Sequence, residues 1–238
     1  MARNARDAVR EKKAVLFDLF HTLTSLETVP AAAEMRSTRE ILCVSREAWN
    51  EQLLERSHDR LIGRKTDEFQ IIAEMARAID PSIDDETIRR AAENRAARFA
   101  AALKGIAGET VEVLRALRAT GKKLALVSNA DVSEAAAWDK SPIAPLFDAV
   151  VFSCKVGYAK PERKIYEIAL ERLSVEPREA VFVGDGGSDE LGGAKSVGIA
   201  TVMMTGVVKR LWPGKIKARL PSADFVIENL NELVPRAP

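Results

Sequence analysis

Ala14-Val15-Leu16-Phe17 is a short, continuously apolar run that stops at Asp18. Four apolar residues bounded by polar ones predict a strand buried on both faces of a sheet. The pattern recurs. Leu124-Ala125-Leu126-Val127 stops at Ser128-Asn129, Ala149-Val150-Val151-Phe152 at Ser153, and Ala180-Val181-Phe182-Val183 at Gly184-Asp185. Ala200-Thr201-Val202-Met203-Met204 stops at Thr205, and Phe225-Val226-Ile227 follows near the C-terminus. Helical spacing fills the gaps. Val113, Leu114 and Leu117 share a face before Gly121, and Asp131 to Glu134 has capping-box spacing. Pro161 suits a first helical turn ahead of Ile165, Ile168, Ala169 and Leu173, and Leu191 to Val197 precedes Gly198. Strands alternating with helices at these lengths predict an α/β fold, a doubly wound parallel sheet.

Residues 26–107 interrupt that alternation, with no strand pattern among them. Three amphipathic stripes occupy the gap: Trp49 to Ile62, then Phe69, Ile72, Ala76 and Ile79, then Ile88, Ala92, Phe99 and Leu103, ended by Gly105. The expected organisation is a core domain made of 1–25 and 108–238, with a helical domain, 26–107, inserted directly after the first strand.

The 238 residues comprise 47% hydrophobic and 30% charged types, which excludes a disordered chain. Lys+Arg is 36 against 35 Asp+Glu, a net charge of +1, so the basic excess of a nucleic-acid binder is missing. The two cysteines, Cys43 and Cys154, make neither a disulfide framework nor a zinc cluster, and fit reduced thiols. No run reaches the roughly 18–20 apolar residues of a membrane span. The basic N-terminus, MARNARDAVREKK, has no apolar segment behind it. The expectation is a cytoplasmic protein without nucleic-acid or membrane partners.

In a parallel sheet the C-terminal ends of all strands share one edge, where ligands bind. Asp18, Ser128 and Asp185 each follow a strand, and Lys160 follows the third by a short loop. One crevice thus receives two carboxylates, a hydroxyl and an amine. That set suits phosphoryl chemistry: one carboxylate attacks, the other helps to hold a hard cation, and hydroxyl and amine bind phosphoryl oxygens.

These residues resemble the haloacid dehalogenase (HAD) superfamily of hydrolases, in the subfamily with a helical cap after the first strand. The resemblance rests on four motifs in order: Phe17 to Thr24, Leu126 to Asn129, Val156 to Glu162, and Phe182 to Glu190 followed by Gly193-Ala194. It implies a Rossmann-like core and Asp18 as the nucleophile that becomes an aspartyl-phosphate. It also implies Mg²⁺ held by Asp18, the Phe20 carbonyl and Asp185, with Ser128 and Lys160 binding the phosphoryl group. Backbone N–H groups from Leu19 to Thr22 and at Asn129 would assist. Asp189 and Glu190 both offer a further carboxylate for the metal; Glu190 has the usual spacing, three residues before Gly193-Ala194. The implied activity is a Mg²⁺-dependent phosphatase acting on a small phosphorylated metabolite.

One position departs from the phosphatase pattern. The residue two after the nucleophile is normally the general-acid Asp, and here it is Phe20. General acid catalysis contributes about 10²–10⁴ in rate. An aromatic there resembles the 2-haloacid dehalogenases, whose halide needs no proton; those enzymes use no metal and lack the Gly184-Asp185 pair. The alternatives are therefore a metal-independent dehalogenase-type hydrolase, or a catalytically weak relative that binds a ligand or a partner. His21, at a position that is usually Gly in the phosphatases, could replace the acid. Phosphonatases of the superfamily also lack the acid and use a cap lysine instead, and Lys65 is available in the cap. Arg36, Arg60 and Arg64 read as solvated, Trp49 and Phe69 as core, and Tyr158 as a packed loop residue. The basic stretch Val208–Arg219 reads as a solvated loop.

Overall fold

The computed structural model describes residues 4–235; residues 1–3 and 236–238, the outermost parts of the two core ranges expected above, lie outside it. Six strands, β1 (Ala14–Phe17), β2 (Lys123–Ser128), β3 (Ala149–Phe152), β4 (Ala180–Gly184), β5 (Ala200–Met204) and β6 (Phe225–Ile227), form one parallel sheet in the order β3-β2-β1-β4-β5-β6. The chain winds outward from β1 on one side and then returns to add β4 on the other. The switch in winding direction falls between β1 and β4, which is where such sheets open a ligand crevice.

Alternation along the strands builds two cores. Val15, Phe17, Leu124, Leu126, Val181 and Val183 face one side and pack with Val113, Leu114 and Leu117 of the helix Gly108–Ala119. Leu16, Ala125, Val127 and Phe182 face the other and pack with Ile165, Tyr166 and Ala169 of the helix Arg163–Leu173 and with Leu191 of Glu190–Ser196. Burial on both faces is why these strands read as unbroken apolar runs. Arg163–Leu173 starts two residues later than Pro161 suggested, with Glu162 as its N-cap.

Between β1 and the helix Gly108–Ala119, apart from a single bridge between Phe20 and Thr24, the regular elements of the described residues are helices: Pro30–Ala33, Thr38–Ile41, Arg46–Glu55, Ser57–Leu61, Glu68–Ile79 and Asp85–Lys104. Side-chain caps start the longer ones: Ser45 accepts from the Ala48 N–H, Asp67 from Gln70 and Asp84 from Thr87. Trp49, Ile72, Met75, Ile88 and Ala92 close a separate apolar core within this insert. The first expected stripe is corrected. It breaks between Arg46–Glu55 and Ser57–Leu61, and Leu54 is 77% exposed.

Among the contacts that hold the insert to the core, two stand out. Gly63, at φ +75, lies so close to the Cys154 carbonyl that a Cβ would clash with it, so both conformation and space require glycine. The second contact is a buried ion cluster. Arg95 binds Asp131 through two bonds of 3.0 and 2.8 Å and also reaches Glu134, while Arg60 donates to Asp131 at 3.0 Å. Asp131 caps the helix Val132–Ala135 directly behind Ser128-Asn129. Arg60 is therefore a buried cross-link, not the solvated residue expected. Lys65 pairs with Glu74.

Candidate active site

The register places the strand-end residues together. Phe17 pairs with both Leu126 and Val183, so Asp18, Ser128 and Asp185 emerge on the same edge within one residue of each other. Asp18, Phe20, Ser128, Asn129, Lys160, Asp185 and Glu190 all line one cavity of about 330 Å³.

Within it, Lys160 is the central cation. Its Nζ donates to Asp18 Oδ1 at 2.6 Å and to Glu190 Oε2. Burial alone would lower its pKa, but the two carboxylates outweigh that and hold it well above the ordinary lysine value. Thr22 Oγ1 donates to the other Asp18 oxygen at 2.9 Å, so the Thr22 hydroxyl orients Asp18. Asn129 brackets the Lys160 backbone: its Oδ1 accepts from the Lys160 N–H at 2.7 Å and its Nδ2 donates to the Lys160 carbonyl at 2.9 Å. Ser128 is 1% exposed, and its Oγ has no hydrogen-bond partner among the described residues. A buried hydroxyl left unpaired costs about 1–3 kcal/mol, which a ligand oxygen would relieve.

Glu190 is 2% exposed, whereas Asp189 beside it is an exposed residue. Its Oε1 accepts from the Gly186 N–H at 2.9 Å, and only the absence of a Cβ on Gly184 lets the carboxylate come so close. Burial first, then the Asp18 charge, pushes its pKa up to about 8 against the pull of Lys160. Oxygen atoms of Asp18, Asp185 and Glu190 lie within 4.8 Å of one another. An all-oxygen, largely anionic donor set fits a hard divalent cation such as Mg²⁺.

The Phe20 ring, at the cavity lining, meets Phe99 of Asp85–Lys104 edge-on with centroids 5.1 Å apart. His21 adopts φ +66, a left-handed conformation that costs a non-glycine residue about 1–3 kcal/mol. Its Nε2 lies 3.2 Å from Glu27 Oε2, and Glu27 also accepts from Ser25 Oγ at 2.6 Å. Burial lowers the imidazole pKa, yet the Glu27 hydrogen bond and charge carry it above the ordinary value. Burial raises Glu27, and its partners draw it down to about 2.

A pH dependence follows. His21, raised on folding, stabilises the fold fully below its unfolded value of 6.5 and loses that contribution as pH rises through its folded value. Glu27, depressed on folding, contributes above 4.5 and loses it as pH falls toward 2. The stability gap between wild type and Glu27→Gln should therefore be widest between pH 4.5 and 6.5 and close on either side. Urea midpoints across pH, with the His21 imidazole followed by NMR, check this. A constant gap would show that the pair carries no charge coupling.

Sequence reading missed the segment after β5. The helices Gly206–Leu211 and Ile216–Arg219 fold back over the strand edge, so Val208–Arg219 is not a free solvated loop. Trp212 meets the His21 ring edge-on at 4.8 Å, and Trp212, Lys215 and Arg219 all line the 330 Å³ cavity. The only sequence signal was one tryptophan set among basic residues. Tyr158, expected to pack, is 40% exposed.

The central strand of the parallel sheet thus ends on a buried carboxylate–lysine pair at the C-terminal edge. A family profile described as haloacid dehalogenase-like hydrolase matches residues 12–198. The chain belongs to that family. It is 32% identical over 130 residues to the glyceraldehyde 3-phosphate phosphatase of Methanocaldococcus jannaschii, covering 52% of this chain and 53% of that protein. The chain thus spans about half the length of this curated relative. A HAD phosphatase from Thermococcus onnurineus superposes with a TM-score of 0.58 at 27% identity, over 93% of this chain and 95% of that one. The L-2-haloacid dehalogenase of Xanthobacter autotrophicus superposes with a TM-score of 0.63 at 22% identity, over 93% and 96%. No helix among the described residues is long and apolar enough to cross a membrane.

Proposed function

We propose that the chain hydrolyses a small phosphate monoester through Asp18, with residues 26–107 acting as the cap over a core made of 1–25 and 108–238. The observation that carries the reading is Ser128. Its buried, unpartnered Oγ lines the same cavity as Asp18 and Lys160, as a phosphoryl-oxygen donor would. Asp18, oriented by Thr22 and Lys160, attacks phosphorus as the P–O bond to the leaving group breaks; the leaving oxygen departs as an anion that takes its proton from solvent, and water then attacks the aspartyl-phosphate at phosphorus, releasing inorganic phosphate and restoring the Asp18 carboxylate. Ser128 and Lys160 hold the phosphoryl oxygens, and Asn129 fixes the loop that carries Lys160. Asp18, the Phe20 carbonyl, Asp185 and Glu190 would hold Mg²⁺, which would neutralise charge on the phosphoryl oxygens. The substrate is a small phosphorylated metabolite in the cytoplasm.

Phe20 supplies no proton to the leaving oxygen. The rate should therefore depend steeply on the leaving group, with p-nitrophenyl phosphate favoured over an alkyl phosphate by up to about 10²-fold. Hydrolysis assays of both esters with Mg²⁺ and with EDTA test this. Loss in EDTA with aryl preference supports the reading. Turnover of 2-chloropropionate that persists in EDTA would replace it with the dehalogenase-type reaction that Phe20 favours. No turnover of any of the three would favour a binding role.

A further inference from the structure

Arg219 reaches the site from the segment after β5. Its Nη1 donates to Asp185 Oδ2 at 2.8 Å and to the Asp185 carbonyl at 2.8 Å. The side chain is 16% exposed, and Asp185 is its sole ion-pair partner among the described residues. Its stem lies against Gly186, where an added Cβ would stand 3.1 Å from it. The other Asp185 oxygen accepts from the Gly187 N–H at 2.8 Å. On the opposite side Lys160 bridges Asp18 and Glu190. Each of the three carboxylates gathered within 4.8 Å thus already faces a cation of the chain itself.

We propose that Arg219 is the resident counter-ion of Asp185 and competes with a divalent cation for that carboxylate, so that it sets the metal affinity of the site. This rests on reading the cluster as the metal-assisted hydrolytic site proposed above. A guanidinium in contact with Asp185 would stand within a few ångströms of a doubly charged ion, where like charges repel strongly in a partly desolvated pocket. Cation entry therefore drives Arg219 off Asp185. Residues 206–222 would loosen with it, because Arg219 is one of the contacts that pin this segment over the cavity, together with Trp212 on His21.

The experiment is calorimetric titration with Mg²⁺ alone of wild type, Arg219→Gln and Arg219→Lys. Hydrogen exchange of wild type with and without Mg²⁺ accompanies it. The glutamine variant should bind Mg²⁺ roughly 10-fold or more tightly than wild type. The lysine variant, which keeps the charge, should stay near wild type. Mg²⁺ should speed exchange across 206–222. If Arg219 only orients Asp185, its loss should instead weaken Mg²⁺ binding, by about 10–100-fold, and that result overturns the proposal. Unchanged affinity, or exchange that is unchanged or slowed over 206–222, overturns it too. If Arg219→Gln does not fold, exchange in the wild type decides alone. Absence of Mg²⁺ binding in all three proteins also overturns it. Hydrolysis of p-nitrophenyl phosphate in EDTA then shows whether the phosphatase reading survives without the metal.

Discussion

Asp18→Asn is expected to abolish hydrolysis, by about 10⁴-fold or more in kcat, while leaving the protein folded. The amide is nearly isosteric with the carboxylate and is a poor nucleophile toward phosphorus or carbon. Its oxygen can still accept from Thr22 Oγ1 or from Lys160, the two side chains that hold Asp18 in place. Lys160 keeps Glu190 as a partner, so no buried cation is stranded. The Asp18 charge is also one cause of the raised Glu190 pKa, so that value should fall in the variant. Steady-state kinetics and a urea melt on the same preparation check both halves. Turnover above a few per cent of wild type in a folded variant would remove Asp18 as the nucleophile and end the aspartyl-phosphate scheme.

The largest loss of stability should come from Asp131→Ala, at about 3–5 kcal/mol. Asp131 is fully buried and binds both Arg60 and Arg95. Its removal leaves two buried guanidinium groups facing Glu134 alone. It also deletes the N-cap of Val132–Ala135, a further cost of about 1 kcal/mol. Since a domain of this kind is stable by about 5–15 kcal/mol, the variant should lie near the edge of folding. Asp131→Asn keeps the cap and should cost less. Urea midpoints for both variants test this. A cost below about 1 kcal/mol for the alanine would mean that solvent enters the cluster and screens it.

The central strands were legible because they are buried on both faces, so their apolar runs are unbroken and end at the polar residues that enter the crevice; the edge strand β6, with Val226 48% exposed, was legible from its apolar composition alone. β2 and β4 exceed the expected runs only by Lys123, Ser128 and Gly184, which continue the backbone ladder without being apolar. The residues of the site were legible for the same reason: topology alone brings Asp18, Ser128 and Asp185 to one edge. Arg60 was not. Its neighbours Ser57, His58 and Asp59 suggest solvent, and its partner Asp131 lies 71 residues away. Arg219 was hidden in the same way. A basic stretch normally indicates hydration, and only the return path of the chain over β4 and β5 reveals that it ends on Asp185.

The Arg60–Asp131–Arg95–Glu134 cluster also constrains recombination among relatives. Residues 60 and 95 lie in the insert; 131 and 134 lie on the other side of β2. A chimaera that takes its helices from a parent without these arginines would inherit two buried acids with no partner, and the reciprocal graft two buried bases. The four positions form a single heritable unit split across distant stretches of the chain, so the helices cannot be exchanged intact unless the turn behind Ser128-Asn129 travels with them.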